Sequence, residues 1–149
     1  WGNMKKSFFD IFDNEEQEIL LNIAAVRKYQ QGQVIVNEGD EGNSFYFVIK
    51  GALEVRKNLK DNLYKPLKII EKGGLIGEIA FLGISPRTAT IVAAKDSELL
   101  EISRDCFDVI SRQNPHVANK IYRMMAETMA DNLRKANDEL KNAILLALE

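Results

Sequence analysis

Residues 45–55 read FYFVIKGALEV, two runs of aromatic and β-branched residues separated by a glycine. Such side chains pack well on a pleated surface and are typical of β-strands, and a glycine between two runs is typical of a turn. The same pattern, short runs of β-branched or aromatic residues separated by glycines, extends from Gly32 to Ser103. It predicts strands at residues 34–36, 45–49, 53–55, 67–70, 88–93 and 99–102. Short strands at regular turn spacing, without helical patterns between them, indicate a mainly β fold, an antiparallel, jelly-roll-like β-roll.

Helical patterns flank this β region on both sides. Apolar residues at helical spacing predict one helix of about three turns over residues 8–26. After Ser103, a favourable N-cap, the pattern is helical to the end and is interrupted once, at Asn114-Pro115. We therefore interpret residues 4–113 as the roll with its flanking helices and residues 114–149 as a long C-terminal helix. Residues 1–3 precede Met4, and we interpret them as remnants of cloning.

The C-terminal helix carries a regular apolar seam. Its members follow one another at alternating spacings of four and three residues, a heptad pattern: Tyr122, Ala126, Met129, Leu133, Ala136, Leu140, Ala143 and Ala147. One interpretation is a helix packed along its own roll. A compact domain has no obvious surface left for the last four turns, so we favour a homodimer contact between two such helices.

Composition excludes several classes of function. Lys plus Arg number 20 and Asp plus Glu 22, a net charge of -2 that argues against a dedicated nucleic-acid surface. One cysteine and one histidine, Cys106 and His116, cannot build a structural zinc site, an iron–sulfur cluster or a disulfide framework within one chain. Since no long apolar run and no signal-peptide pattern is present, we expect no membrane segment and a cytoplasmic protein.

Cys106 and His116 are ten residues apart and are the only residues that suggest a nucleophilic pair. No typical sequence context accompanies them. We favour the simpler interpretation of a buried thiol on one helix and a solvated imidazole at the start of the next.

Residues 73–94 read GGLIGEIAFLGISPRTATIVAA and hold the residues that suggest chemistry. Glu78 directly follows Gly77, and a glycine turn of this kind can direct backbone N–H groups into a concavity that favours anions. Arg87 offers a permanently charged fork for a phosphate and Thr88 a hydroxyl, whereas the Glu78 carboxylate suits a hydroxyl such as that of ribose. Taken singly, each residue also has an ordinary structural explanation, such as an ion pair between Arg87 and Glu78.

The order of these parts resembles the cyclic nucleotide-binding domain family, in particular the effector-binding half of catabolite-activator-type bacterial regulators. Gly77-Glu78-Ile79-Ala80 with Pro86-Arg87-Thr88-Ala89 resembles the family's phosphate-binding cassette. Residues 33–55 resemble its paired strands with their glycines, and the helices divided at Asn114-Pro115 resemble those of the bacterial regulators. Such regulators continue into a helix-turn-helix domain, which these 149 residues do not include. We therefore expect no nucleic-acid binding by this chain alone.

The resemblance implies a role for each matching residue. Glu78 would accept the ribose 2'-hydroxyl, Arg87 would pair with the cyclic phosphate, and Thr88 would add a hydroxyl. Backbone contacts around sugar and phosphate would come from the remaining cassette residues, Gly77, Ile79, Ala80 and Ala89.

The base would be covered by the C-terminal helix, as in the family. Counting from Asn114 places Asp131, Asn132 and Leu133 near it, and the Asn132 amide can both donate and accept hydrogen bonds. Since Thr88 occurs with either base in the family, it does not separate cAMP from cGMP, and we favour cAMP by a small margin.

The sequence thus predicts a non-enzymatic sensor that binds cAMP or cGMP without a cofactor or metal and passes ligand occupancy to the C-terminal helix. The alternative is a dimerisation or partner-docking module that keeps the fold and binds no nucleotide. An enzyme is disfavoured because no nucleophile or metal site accompanies Glu78 and Arg87.

Overall fold

The computed structural model describes residues 7–83 and 85–149, so residues 1–3, interpreted as cloning remnants, lie outside the described residues. In the described part, eight strands form two four-stranded antiparallel sheets, ordered β1-β8-β3-β6 and β2-β7-β4-β5. The strands are β1 Ala25–Tyr29, β2 Val34–Val36, β3 Ser44–Lys50, β4 Ala52–Asn58, β5 Tyr64–Glu71, β6 Leu75–Ile76, β7 Thr90–Ala93 and β8 Ser97–Ser103. The predicted antiparallel roll is confirmed.

Strand β3 is buried on both faces, which explains why its sequence is a strong indicator of the fold. Successive side chains of a strand point to opposite faces. Phe45 and Phe47 join the core beneath the helices, whereas Tyr46 and Val48 join a second core inside the roll. Burial of each large apolar side chain stabilises the fold by about 1.5–3 kcal/mol, so this one strand ties the two cores together.

The predicted N-terminal helix of about three turns is confirmed, but residues 8–26 do not form one continuous helix. The structure has two short helices, α1 Phe8–Ile11 and α2 Asn14–Ile23, and the chain then enters β1. A capping box separates the helices: the Asp13 carboxylate accepts the Glu16 N–H at 2.8 Å, and the Glu16 carboxylate accepts the Asp13 N–H at 3.0 Å. The helical spacing of the apolar residues thus continues across the point where a new helix starts, at the Asp13–Glu16 capping box.

Two further elements in the first half of residues 73–94 were not predicted. Strand β6 pairs Leu75 and Ile76 with β3, and a one-and-a-half-turn helix, α3, covers Glu78–Gly83. Both are too short to show a period of their own. The other predicted strands lie within observed ones, except 88–93, of which only Thr90–Ala93 forms a strand.

The C-terminal region begins as predicted. The Ser103 hydroxyl accepts the Cys106 N–H at 3.1 Å and caps helix α4, Arg104–Gln113. Helix α5, Pro115–Ala147, starts with proline at its first position, directly after Asn114. Asn114 makes no side-chain capping bond; instead its carbonyl accepts the N–H groups of Val117 and Ala118.

The two halves of α5 differ in their surroundings. Val117, Ile121 and Met125 are fully buried in the core beneath the helices. Residues 133–149 are all exposed, including the seam residues Leu133 and Leu140 at 63% and 59%. The last turns therefore do not pack on the described part of the roll. Within residues 7–83 and 85–149, none of the helices combines the length and apolar character needed to cross a membrane.

Candidate functional site

Arg87 lies just before β7 and is held by its backbone as well as by its side chain. Its N–H donates to the Asp40 carbonyl at 2.7 Å, and its carbonyl accepts the Gly39 N–H at 2.9 Å. These bonds to the 39–40 loop explain why β7 begins only at Thr90, later than predicted. The Arg87 residue is only 7% exposed, so a permanent charge is kept inside the roll.

Two glycines make room for the Arg87 guanidinium. A Cβ on Gly42 would lie 2.1 Å from Nε, and a Cβ on Gly77 would lie 2.7 Å from Nη1. Nη1 also donates to the Gly77 carbonyl at 3.3 Å. Gly77 has φ +83, a conformation that favours glycine, so it serves both the turn and the space beside the arginine. The role of Gly42 was not predicted from the sequence, because it lies 45 residues before Arg87.

Glu78 is the first residue of α3 and is 5% exposed. It follows the Gly77 turn, so its carboxylate enters the same cavity that Arg87 lines. The first-turn N–H groups of a helix have no intrahelical acceptors, and in α3 these belong to the segment after Gly77. Two short stretches of chain, the Gly77–Glu78 turn and the segment at Arg87, therefore position the guanidinium, the carboxylate and the first turn of α3.

All eight predicted site residues line one cavity, with about 510 Å³ of empty space including its solvent-open mouth. The predicted residues are Gly77, Glu78, Ile79, Ala80, Arg87, Thr88, Ala89 and Asn132. Apolar side chains of the roll complete the walls, among them Val36, Val55, Ile70 and Ile91. A ligand with an anionic group, a hydroxyl and a flat apolar part suits this combination.

Helix α5 closes one side of the cavity, and the structure separates the three residues that the resemblance placed near the base. Asn132 lines the cavity, whereas Leu133 is exposed and Asp131 forms ion pairs with Arg134 at 3.6 Å and Lys135 at 3.2 Å. Of the three residues expected near the base, the cavity lining includes only Asn132. Its Oδ1 accepts a hydrogen bond of 2.5 Å from Nζ of Lys68 on β5, a cavity residue that sequence reasoning missed.

A polar network lies behind Arg87. Its guanidinium is 5.9 Å from the centre of the Tyr46 ring, the Tyr46 hydroxyl donates to Glu101 at 2.9 Å, and Glu101 accepts from Arg27 at 3.0 Å. Burial, and then the nearby Glu101 carboxylate, raise the pKa of Tyr46 well above its ordinary value. Tyr46 therefore stays neutral, and its hydroxyl keeps the proton that it donates to Glu101.

Thr88 is supported from β4. Lys57 Nζ donates to the Thr88 carbonyl at 3.0 Å and pairs with Glu38 at 3.3 Å. The Asn58 N–H, and then Lys57, lower the pKa of Glu38, which keeps this carboxylate ionised. The Thr88 side chain is exposed at the cavity.

Cys106 and His116 have different neighbours. Cys106 Sγ donates to the Ile23 carbonyl at 3.5 Å, and burial raises the pKa of the thiol. His116 is exposed, with Nε2 3.7 Å from a Glu16 carboxylate oxygen. A thiol with a raised pKa is a poor nucleophile; Cys106 is half-buried rather than fully buried, and His116 is exposed as expected.

Comparison with known proteins agrees with this geometry. Residues 26–114, more than half of the chain, match a family model described as cyclic nucleotide-binding domain. The chain is 32% identical over 126 residues to the cyclic AMP receptor protein of Thermus thermophilus, covering 85% of this chain and 56% of that protein. It is 32% identical over 111 residues to a cGMP-dependent protein kinase of Eimeria tenella, covering 74% of this chain and 10% of the kinase.

Among solved structures, the catabolite activator protein of Thermus thermophilus superposes with a TM-score of 0.74 at 31% identity, covering 87% of this chain and 59% of that one. The chain therefore spans little more than half the length of the bacterial regulator and a tenth of the kinase.

Proposed function

The chain belongs to the cyclic nucleotide-binding domain family, and we propose that it binds cAMP or cGMP in the roll as a non-enzymatic regulatory domain. The observation that carries this proposal is the buried guanidinium of Arg87, fitted between Gly42 and Gly77 in a cavity that also contains the Glu78 carboxylate. A cyclic phosphate would neutralise Arg87. The ribose 2'-hydroxyl would donate to Glu78.

The other contacts follow if the nucleotide lies with its phosphate at Arg87 and its ribose at Glu78. Thr88 would donate its hydroxyl to the phosphate, and the backbones of Gly77, Ile79, Ala80 and Ala89 would surround phosphate and sugar. The base would then extend toward α5 and Asn132. Neither a metal nor a cofactor is needed for such binding.

We propose that ligand occupancy is passed to α5 by two routes. One is the base itself, which would change how α5 packs at Asn132. The other is a series of aromatic contacts from α3. Phe81 lies 5.5 Å from Phe107 on α4, and Phe107 lies 5.0 Å from Tyr122 on α5, measured between ring centres. A shift of α3 on binding would therefore reach the long helix through packed rings.

A second candidate is favoured by the exposed half of α5. Its seam residues from Leu133 onward are uncovered, which suits a two-helix homodimer contact. Such a dimer is compatible with nucleotide binding. It would be the main function only if the cavity proved to bind no nucleotide.

Isothermal titration of the chain with cAMP and cGMP tests the proposal. We expect Arg87→Ala to weaken binding by about 2–5 kcal/mol, because the cyclic phosphate would lose its charged partner inside the roll. The matched control is Arg56→Ala, which removes an arginine that pairs with Glu54 outside the cavity. Equal binding by Arg87→Ala and the unmodified chain would refute the site. No binding of either nucleotide to the unmodified chain, with a stable dimer in sedimentation, would favour the second candidate.

A further inference from the structure

Helix α3, Glu78–Gly83, is held near its C-terminal end by an arginine from another element. The last carbonyl groups of a helix have no intrahelical donor. In α3 one of them, the Phe81 carbonyl, accepts a hydrogen bond from Nη2 of Arg104, the first residue of α4. The Arg104 guanidinium also lies over the Phe81 ring, with Cζ 4.4 Å from the ring centre. Arg104 therefore holds one residue of α3 both by its backbone and by its side chain.

Arg104 is itself fixed in place, because its N–H donates to the Asn43 carbonyl at 3.0 Å. Its residue is half-buried, whereas Phe81 is 1% exposed and packs with its ring centre 4.8 Å from that of Phe45 and 5.5 Å from that of Phe107. A hydrogen bond from a charged donor is stronger than one between neutral groups. The contact between α3 and α4 thus combines packed rings with a charge-assisted hydrogen bond from Arg104.

The Glu78 carboxylate belongs to the same short helix as Phe81. The two residues are three positions apart, so about one turn of backbone joins them, and the Phe81 N–H donates to the Gly77 carbonyl at 3.2 Å. A change in the position of Phe81 would therefore tilt the turn that carries Glu78. Arg87 depends less on α3, because its backbone is bonded to the 39–40 loop.

We propose that Arg104 is a positioning residue for the ribose end of the cavity: by holding Phe81, it keeps the Glu78 carboxylate where it would accept the 2'-hydroxyl. This inference rests on the proposed function, in which Glu78 takes the ribose and Arg87 the phosphate. Arg104 is not among the described residues that line the cavity, so it would act on the ligand only through α3. Loss of its guanidinium should therefore weaken recognition of the 2'-hydroxyl and leave recognition of the phosphate unchanged.

Titration calorimetry with cAMP and 2'-deoxy-cAMP tests this role. The unmodified chain should bind the 2'-deoxy form about tenfold more weakly than cAMP, because Glu78 loses its partner. Arg104→Met keeps a long apolar side chain but removes the charge and all the donors. We expect it to bind cAMP about fivefold more weakly and 2'-deoxy-cAMP unchanged, so that the ratio of the two dissociation constants falls to about twofold.

Arg112→Met is the matched control, since Arg112 is an exposed arginine on the same helix. It should leave both constants unchanged. A residue that only supports the fold would weaken both nucleotides equally, so an equal loss in Arg104→Met, with the ratio still about tenfold, would overturn the inference. Unchanged binding of both nucleotides by Arg104→Met would overturn it as well.

The unmodified chain separates this inference from the proposed function. If it binds cAMP and 2'-deoxy-cAMP equally well, Glu78 does not recognise the 2'-hydroxyl and the inference fails, while nucleotide binding stands. If it binds neither these two nor cGMP, the proposed function itself is refuted. Should Arg104→Met not fold, Arg104→Gln, with a shorter, uncharged but polar side chain, is judged by the same ratio.

Discussion

The cavity has two walls that are built in different ways. The roll wall holds Arg87 by two backbone hydrogen bonds, by a contact with Gly77 and by the space left at Gly42. The helix wall consists of Asn132, half-buried on α5 and hydrogen-bonded to Lys68 through side chains. The hydrogen bonds that hold the Arg87 backbone do not depend on a ligand, so we expect them to persist when a ligand leaves. The one side-chain bond between half-exposed groups contributes only about 0.5–1.5 kcal/mol and is more easily broken. The difference suggests a fixed anion site opposed by a movable cover.

Crowding the roll wall should have the largest effect. Gly42→Ala would place a Cβ 2.1 Å from Arg87 Nε, so the guanidinium must move away from its present position. We expect cyclic nucleotide affinity to fall by about 2 kcal/mol, or roughly thirtyfold, as measured by titration calorimetry.

Gly83→Ala is the control for that substitution, since the nearest described atom to its Cβ would be Oγ of Ser85, at an ordinary contact distance of 3.6 Å. It should bind normally. If Gly42→Ala binds as tightly as Gly83→Ala, the roll wall adapts to its ligand and the contrast between fixed and movable walls fails.

Changing the carboxylate of the roll wall should have an intermediate effect. Glu78→Gln keeps the shape of a side chain that is 5% exposed but removes its charge, and hydrogen bonds to charged groups contribute about 1.5–3 kcal/mol. We expect roughly tenfold weaker binding. The 2'-deoxy form of the same cyclic nucleotide should bind the unmodified chain about tenfold more weakly than the parent nucleotide does. Glu78→Gln should bind the 2'-deoxy form no more weakly than it binds the parent nucleotide. Additive losses in this cycle would mean that Glu78 does not contact the ribose hydroxyl.

The two walls also differ in how far the sequence predicts them. The cassette residues from Gly77 to Ala89 lie close together in the chain, so a local pattern brings them to one place. Gly42 reaches Arg87, and Lys68 reaches the cavity, only through contacts between distant parts of the chain, and no local pattern sets those contacts. The alternation of β5 did contain a signal, since Lys68 falls on the face of Ile70.

Similar reasons explain the errors along the helices. Residues 8–26 have helical spacing throughout, but the Asp13–Glu16 capping box starts a new helix within them. On α5, Asn132 and Leu133 are neighbours in sequence and about 100° apart around the axis, so one residue lines the cavity while the next is exposed. The strand predicted at 88–93 starts later because Lys57 Nζ, rather than a partner strand, donates to the Thr88 carbonyl, and the Arg87 backbone just before it bonds the 39–40 loop.

Loosening the helix wall should have the smallest effect. Asn132→Ala removes the side-chain bond from Lys68 and the amide offered to the base, and because both groups are partly solvated we expect only a two- to fivefold loss of affinity, or about 0.5–1 kcal/mol. Asn137→Ala, the same change on an exposed position of the same helix, should have no effect. Titration calorimetry on the two variants gives the comparison directly. A loss with Asn132→Ala as large as that with Gly42→Ala would show that α5 holds the ligand as firmly as the roll does, and the helix could not then act as the movable cover.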